Sequence, residues 1–289
     1  MSAIVLTTGE ARAEIASLGA EARAWSVAGR DLLWSGDPAV WPEISPILYP
    51  VVGWTRNGEE RVDGRTYALK LHGFARFETY EVEKQTADFV RLLLKDNEQT
   101  RAIYPFAFAF AVEYQLSAVA LEVGLEVTNP GERTAPYACG LHPGFRWPLG
   151  DKGREGAVVR FEKPERPQVP TFAPVGLVRK DLRQVPLRGR DLPLDDALLV
   201  DDALCFLDCA SRELSFLDAS GASISMEFPG FQHAALWTRP PAPYLCLECW
   251  TGYSDPEDFA GDLFGKPSMR LLQPGETARH QARFVYKAA

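Results

Sequence analysis

Residues 106–116 constrain the fold more than any other stretch of the chain. Phe106, Phe108, Phe110, Val112, Tyr114 and Leu116 alternate with Ala107, Ala109, Ala111, Glu113 and Gln115. Strand side chains point to opposite faces in turn, so this period of two buries one aromatic-rich face and cannot be folded into a helix. A second alternating run sets Leu121, Val123, Leu125 and Val127 against Glu122, Gly124 and Glu126, and Asn129-Pro130-Gly131 closes it with turn chemistry.

The same signature recurs along the chain. Strands are expected at residues 66–71, 89–94, 158–161, 204–207, 213–217, 222–228, 244–250 and 281–286. Asn57-Gly58, Asp63-Gly64 and Ala219-Ser220-Gly221 are expected to turn between such pieces. One short helix is expected at residues 256–264, with Asp255 as its cap. Residues 161–202, rich in Pro, Arg and Asp, form a long excursion within the domain. The pattern predicts an all-β protein, a large antiparallel β-sandwich, with residues 1–289 as one domain.

Composition narrows the function classes. Hydrophobic residues make up 46% and charged residues 24%, the balance of a chain that buries a core. The formal net charge is −8 and no basic cluster occurs, so no nucleic acid is expected as partner. The longest uncharged apolar run, residues 102–112, is far shorter than the roughly 20 residues a spanning helix needs, so no membrane partner is expected. The start M-S-A-I-V-L-T-T-G-E lacks a basic region and meets Glu10 early, unlike a secretory signal. Five cysteines, an odd number, argue against a disulfide scaffold and for a cytoplasmic location.

Three residues stand out chemically. His72, in L-H-G-F-A-R, and His142, in G-L-H-P-G-F, each follow strand-like text and precede Gly or Pro-Gly, where a rigid scaffold opens into a loop. Glu248 lies in Y-L-C-L-E-C-W, residues 244–250, on a face shared with Tyr244, Cys246 and Trp250. On a central strand that carboxyl must be paired or neutral, and burial would raise its pKa; on an edge strand it would sit in solvent. His280 and His233 are expected to be structural, the former on an exposed-looking terminal strand. The pairs Cys246/Cys249 and Cys205/Cys209 sit in strand-like text, where residues three apart face opposite ways, so they are expected to be buried and no metal is expected.

Read in order, L-H-G-F-A-R, Y-P-F-A-F at 104–108, G-L-H-P-G-F and L-E-C-W-T-G at 247–252 resemble the aldose 1-epimerase (galactose mutarotase) family, and its LacX-like branch in particular. G-A-E-A at 19–22, L-L-W-S-G-D-P at 32–38 and L-Y-P-V-V-G at 48–53 fit as well, so the resemblance spans nearly the whole chain. It implies the supersandwich fold, an open sugar-binding groove, and ring opening without a cofactor. It also implies Glu248 as the base, His142 as the acid and His72 as a supporting histidine. One carboxylate and one imidazole suffice for such chemistry, and a nearby carboxylate would keep His142 protonated. Their functional atoms are expected on the order of 5–8 Å apart.

Trp250, Phe145 and Phe74 are candidates to stack on the sugar. The family's early G-R-x-x-N-R segment, which supplies a sugar-binding arginine, is missing. Arg76 is the expected replacement, as in hexose-6-phosphate epimerases that share H-G-F-A-R. The substrate-binding aspartate is expected at Asp202, with Asp201 as the alternative. The expected partner is a small-molecule sugar, and the chain is expected to be a monomer or homodimer. Two alternatives remain. One is a hexose-6-phosphate 1-epimerase, which would need Arg76 plus one or two of Lys70, Arg146 and Arg179 around the phosphate. The other is a non-catalytic carbohydrate-binding protein of the same fold.

Overall fold

The structure, a computed structural model, describes residues 3–289; Met1 and Ser2, part of the start read above, lie outside the described residues. Its frame is a nine-stranded sheet in which every neighbouring pair is antiparallel. The alternating runs form neighbouring strands in it, Ala109–Leu116 and Ala120–Thr128. Their even-spaced apolar side chains, Phe110, Val112 and Tyr114 among them, are buried. Each such side chain contributes about 1.5–3 kcal/mol by leaving water. The outward face is charged instead, and Arg91 bridges Glu83, Glu113 and Glu126 on three strands.

A six-stranded sheet packs on the inner face, with the strand Tyr244–Trp250 inside it. Phe145 and Phe161 make the join: the first meets Phe284 with ring centroids 5.4 Å apart, the second meets Phe206 at 4.7 Å. A four-stranded sheet near the N-terminus closes one end, where Trp25 stands edge-on to Phe145 at 6.4 Å. This is the antiparallel sandwich that the alternation predicts. Among the described residues, no helix is long and apolar enough to cross a membrane.

Several local expectations need correction. No helix forms at residues 256–264; only a short 3-10 turn, Leu263–Gly265, is present, and Asp262 caps it. Asp255 is fully buried and accepts the Arg56 N–H instead. The one α-helix among the described residues is Glu98–Ile103, where Asn97 and Thr100 cap each other reciprocally. It is too short to show an apolar stripe, and its box uses Thr where Glu or Gln is usual. Phe106 and Phe108 precede the strand but still enter the core, against Tyr104. His280 is buried on a strand inside the nine-stranded sheet, not on an exposed one, and bonds Tyr137 and the Gly230 carbonyl. The excursion at 161–202 contains a hairpin, Gln168–Phe172 with Val178–Gln184, hidden from the sequence because Pro170 and many exposed charges break the alternation.

Candidate active site

Glu248 sits on a central strand. Its neighbours are His233–Trp237 on one side and the short strands Gly140–Leu141 and Gly144–Arg146 on the other. The carboxyl is 1% exposed. Burial raises its pKa well above the usual carboxylate value, partly offset by the Trp250 hydrogen bond. Trp250 Nε1 donates to Glu248 Oε2 at 3.1 Å; the two residues share one face of one strand.

His142 lies in the break between the two short strands that flank Glu248, so that backbone pairing delivers its ring to the carboxyl. Nε2 stands 3.3 Å from Glu248 Oε2. Trp41 lies over the imidazole with centroids 5.2 Å apart, and Trp237 meets it edge-on at 5.5 Å. This aromatic box strips water from the ring and pushes its pKa down to about 3. The nearby carboxylate therefore does not hold His142 in the cationic form, contrary to the expectation above. Burial drives both partners toward neutrality.

His72 occupies a left-handed turn, φ +61°, uncommon for a residue with a side chain and most frequent at sites that need it. Two bonds hold it there: its N–H donates to the Gly53 carbonyl, and its Nδ1 accepts the Gly53 N–H at 3.0 Å. An accepting Nδ1 fixes the proton on Nε2. Gly73 beside it must be glycine, since a Cβ would lie 2.1 Å from the Tyr49 carbonyl oxygen. The His72 ring stands perpendicular to His142 with centroids 5.6 Å apart, and burial lowers its pKa as well.

These groups line one groove of about 410 Å³, together with Arg76, Asp202 and Trp250. Arg76 is held by Glu43 at 3.2 Å and by the Leu71 carbonyl at 2.9 Å. Asp202 points its carboxylate at the Ala203 N–H, and burial raises its pKa. Asp201 is exposed beside Arg183 and does not line the groove.

Phe145 and Phe74 are not in the groove. Phe145 is 1% exposed, between Trp25 and Phe284, because it faces the opposite sheet. Phe74 packs on Tyr49, Tyr104 and Phe108. Lys70, Arg146 and Arg179 do not line it either: Lys70 covers Phe77, Arg146 faces Asp31 and Arg179 faces Glu257. Sequence reasoning missed Trp41, Trp237, Glu43 and Arg239, which do. Nothing in their local sequence marks them, since they reach the groove from two stretches, 41–43 and 237–239, far from the motifs that hold the histidines and Glu248.

All five cysteines are free and buried. Donor atoms of His142, Cys246 and Glu248 lie within 4.8 Å of one another, close enough to share a metal ion. Burial raises the Cys246 thiol well above its usual pKa, which opposes the thiolate that a metal requires.

The sequence model of the aldose 1-epimerase family matches residues 2–285. The chain belongs to the aldose 1-epimerase family. It is 30% identical over 264 residues to the plasmid-encoded protein LacX of Lactococcus lactis subsp. lactis, spanning 87% of this chain and 88% of LacX. Among solved structures it is similar to a galactose mutarotase related enzyme from Lactobacillus acidophilus, with 28% identity and TM-score 0.90 over 99% of this chain and 98% of the other. A galactose mutarotase-like protein from Lactobacillus casei superposes with TM-score 0.93 at 25% identity, over 99% of this chain and 100% of the other. The groove of this family member thus lies on a scaffold shared with mutarotase-like proteins.

Proposed function

We propose that the protein is a mutarotase: it interconverts the α and β anomers of an aldose by opening and reclosing the ring. The contact between His142 Nε2 and Glu248 Oε2, 3.3 Å apart at the groove, carries the reading. Ring opening needs one proton taken from the C1 hydroxyl and one delivered to the ring oxygen, and this pair holds one proton between an acid and a base. Sugar hydroxyls that donate to Glu248 favour its carboxylate form, so binding moves the shared proton to His142. Glu248 then takes the C1 hydroxyl proton while His142 protonates the ring oxygen, and the bond from C1 to the ring oxygen breaks. Rotation about C1–C2 and the reverse transfers close the ring on the other face. His72, with its proton on Nε2, donates to a substrate oxygen, and Arg76 and Asp202 hold hydroxyls.

The acid–base pair favours this reading over a non-catalytic sugar binder, since binding alone does not require two buried titratable groups in contact. Free, buried cysteines fit the reducing cytoplasm. A hexose 6-phosphate reading keeps one supporting observation: Arg239 lines the groove, rests on Trp237 and the Val40 carbonyl, and has no acidic partner among the described residues. The neutral sugar is favoured because Glu43 neutralises Arg76 and Asp202 adds a carboxylate. Polarimetry of freshly dissolved α-D-glucose and α-D-galactose decides: accelerated mutarotation with wild-type protein and its loss in Glu248→Gln is the expected result. Rotation decaying at the uncatalysed rate for these sugars and their 6-phosphates would overturn the proposal.

A further inference from the structure

The G-A-E-A stretch at 19–22 lies outside the groove, yet it is tied to two of the groove's walls. It leads the chain into the strand Ala22–Val27 of the four-stranded sheet. Gly19 packs on the backbone of Arg76, where a Cβ would lie 2.7 Å from the Arg76 carbonyl oxygen. Glu21 is 9% exposed, and both of its oxygens are engaged. Oε1 accepts the Ile44 N–H at 2.7 Å and the Ser45 N–H at 3.0 Å, and Oε2 accepts Arg23 Nη1 at 2.6 Å.

Residues 41–45 belong to no strand or helix, so sheet pairing does not place them. A buried N–H without a partner is costly, and Glu21 serves two of them in a row. Ser45 Oγ adds a bond to the Ala22 carbonyl at 2.7 Å. The Ile44 carbonyl accepts the Gly144 N–H at 2.8 Å, two residues past His142. The segment is thereby strapped between Glu21 and the chain that carries His142. It lays Trp41 over the His142 ring and against Gly144, where a Cβ would come within 2.9 Å of the indole. It also sets Glu43 beside the Arg76 guanidinium.

We propose that Glu21 is a positioning residue: through residues 41–45 it places Trp41 on His142 and Glu43 on Arg76. Glu21 does not line the groove, so it acts only through the segment it holds. Its effect on turnover rests on the mutarotase reading, but the placement of Trp41 is read without turnover.

The test titrates the His142 imidazole by NMR, beside polarimetric turnover, in wild type, Glu21→Ala and Glu21→Gln. The titratable and charged groups around the ring are Glu248, His72, Cys246 and Arg76, and none is substituted. Losing the acceptor frees Trp41, and water reaching the ring should bring the His142 pKa from about 3 to above about 5 in Glu21→Ala. Loss of the Glu21 charge alone would lower that pKa, so a rise reports the moved indole. Turnover should fall tenfold or more. Glu21→Gln keeps an acceptor for both N–H groups and should restore most of the turnover with no rise in pKa. In the Trp41→Ala background, Glu21→Ala should not move His142 further. If Glu21→Ala does not fold, Glu21→Asp, which draws the oxygens back by one methylene, should shift His142 in the same direction. An unmoved His142 in the folded Ala or Asp variant, or a turnover loss that only tracks the unfolded fraction, overturns the proposal. Turnover of a sugar by wild type with His142 unmoved in the variants sinks the positioning role and leaves the mutarotase reading standing. A Trp41-dependent shift of His142 without turnover of any sugar does the reverse.

Discussion

Trp250 and His142 converge on the same atom of the same side chain: the Trp250 indole donates to Glu248 Oε2 at 3.1 Å, and His142 Nε2 stands 3.3 Å from it. One partner favours the carboxylate by donating to it, and the other competes for the shared proton. Under the proposed mechanism, Trp250 therefore tunes the base more than it stacks on the sugar. Replacing Trp250 by Phe keeps an aromatic wall and removes the donor. Hydrogen bonds to charged groups contribute about 1.5–3 kcal/mol, or roughly one to two pKa units. The acid limb of kcat/KM against pH should shift upward by that amount in Trp250→Phe. An unshifted profile would show that the indole does not tune Glu248.

Glu248→Gln preserves shape and removes the proposed base. Turnover should drop about 10²–10⁴-fold while sugar still binds, and His142→Asn should do likewise. The Gln variant relieves the cost of a buried carboxylate, so its stability at pH 8 should equal or exceed that of wild type. Chemical denaturation beside the activity assay separates lost chemistry from lost fold.

Arg76→Ala tests what the guanidinium grips. Under the proposed function, with Glu43 already beside it, Arg76 grips hydroxyls, and the variant should weaken neutral hexoses by about 1–3 kcal/mol with little dependence on salt. A hundredfold preference of the wild type for a hexose 6-phosphate, eroded by ionic strength, would move the protein to the phosphorylated class.

Away from the chemistry, Lys266 is buried between Asp255 at 2.9 Å and Glu60 at 3.5 Å. Asp255 also binds Arg56 N–H, and its backbone N–H binds Trp54, so the cluster braces the loop next to His72. Lys266→Met leaves Asp255 and Glu60 without their shared cation and should cost about 3–5 kcal/mol by urea unfolding.

Burial raises the Glu60 pKa from 4.5 to about 7. A raised folded pKa means that the folded state keeps a proton that the unfolded chain releases. The contribution is fully present below pH 4.5 and is lost as the pH rises through about 7. Stability should fall on the order of 1–3 kcal/mol across that window through this group, and Glu60→Gln should flatten the fall. Identical pH profiles for the two proteins would count against it.

The sequence by itself determined the all-β class, because the period of two at residues 106–116 and 121–127 admits no helix, and it put Glu248, Cys246 and Trp250 on one face of one strand. It did not decide whether that strand was central or at an edge, since periodicity says which side chains share a face and not what lies beside them. The tertiary structure decided this by flanking Tyr244–Trp250 with His233–Trp237 and the two short strands around His142. The same limit explains Phe145, which turns into the core, where Phe284 of the opposite sheet meets it. It explains Trp41 and Trp237 too, which box His142 from separate segments and force it toward neutrality. Desolvation and sheet order are properties of contacts between distant segments, and no local pattern encodes them.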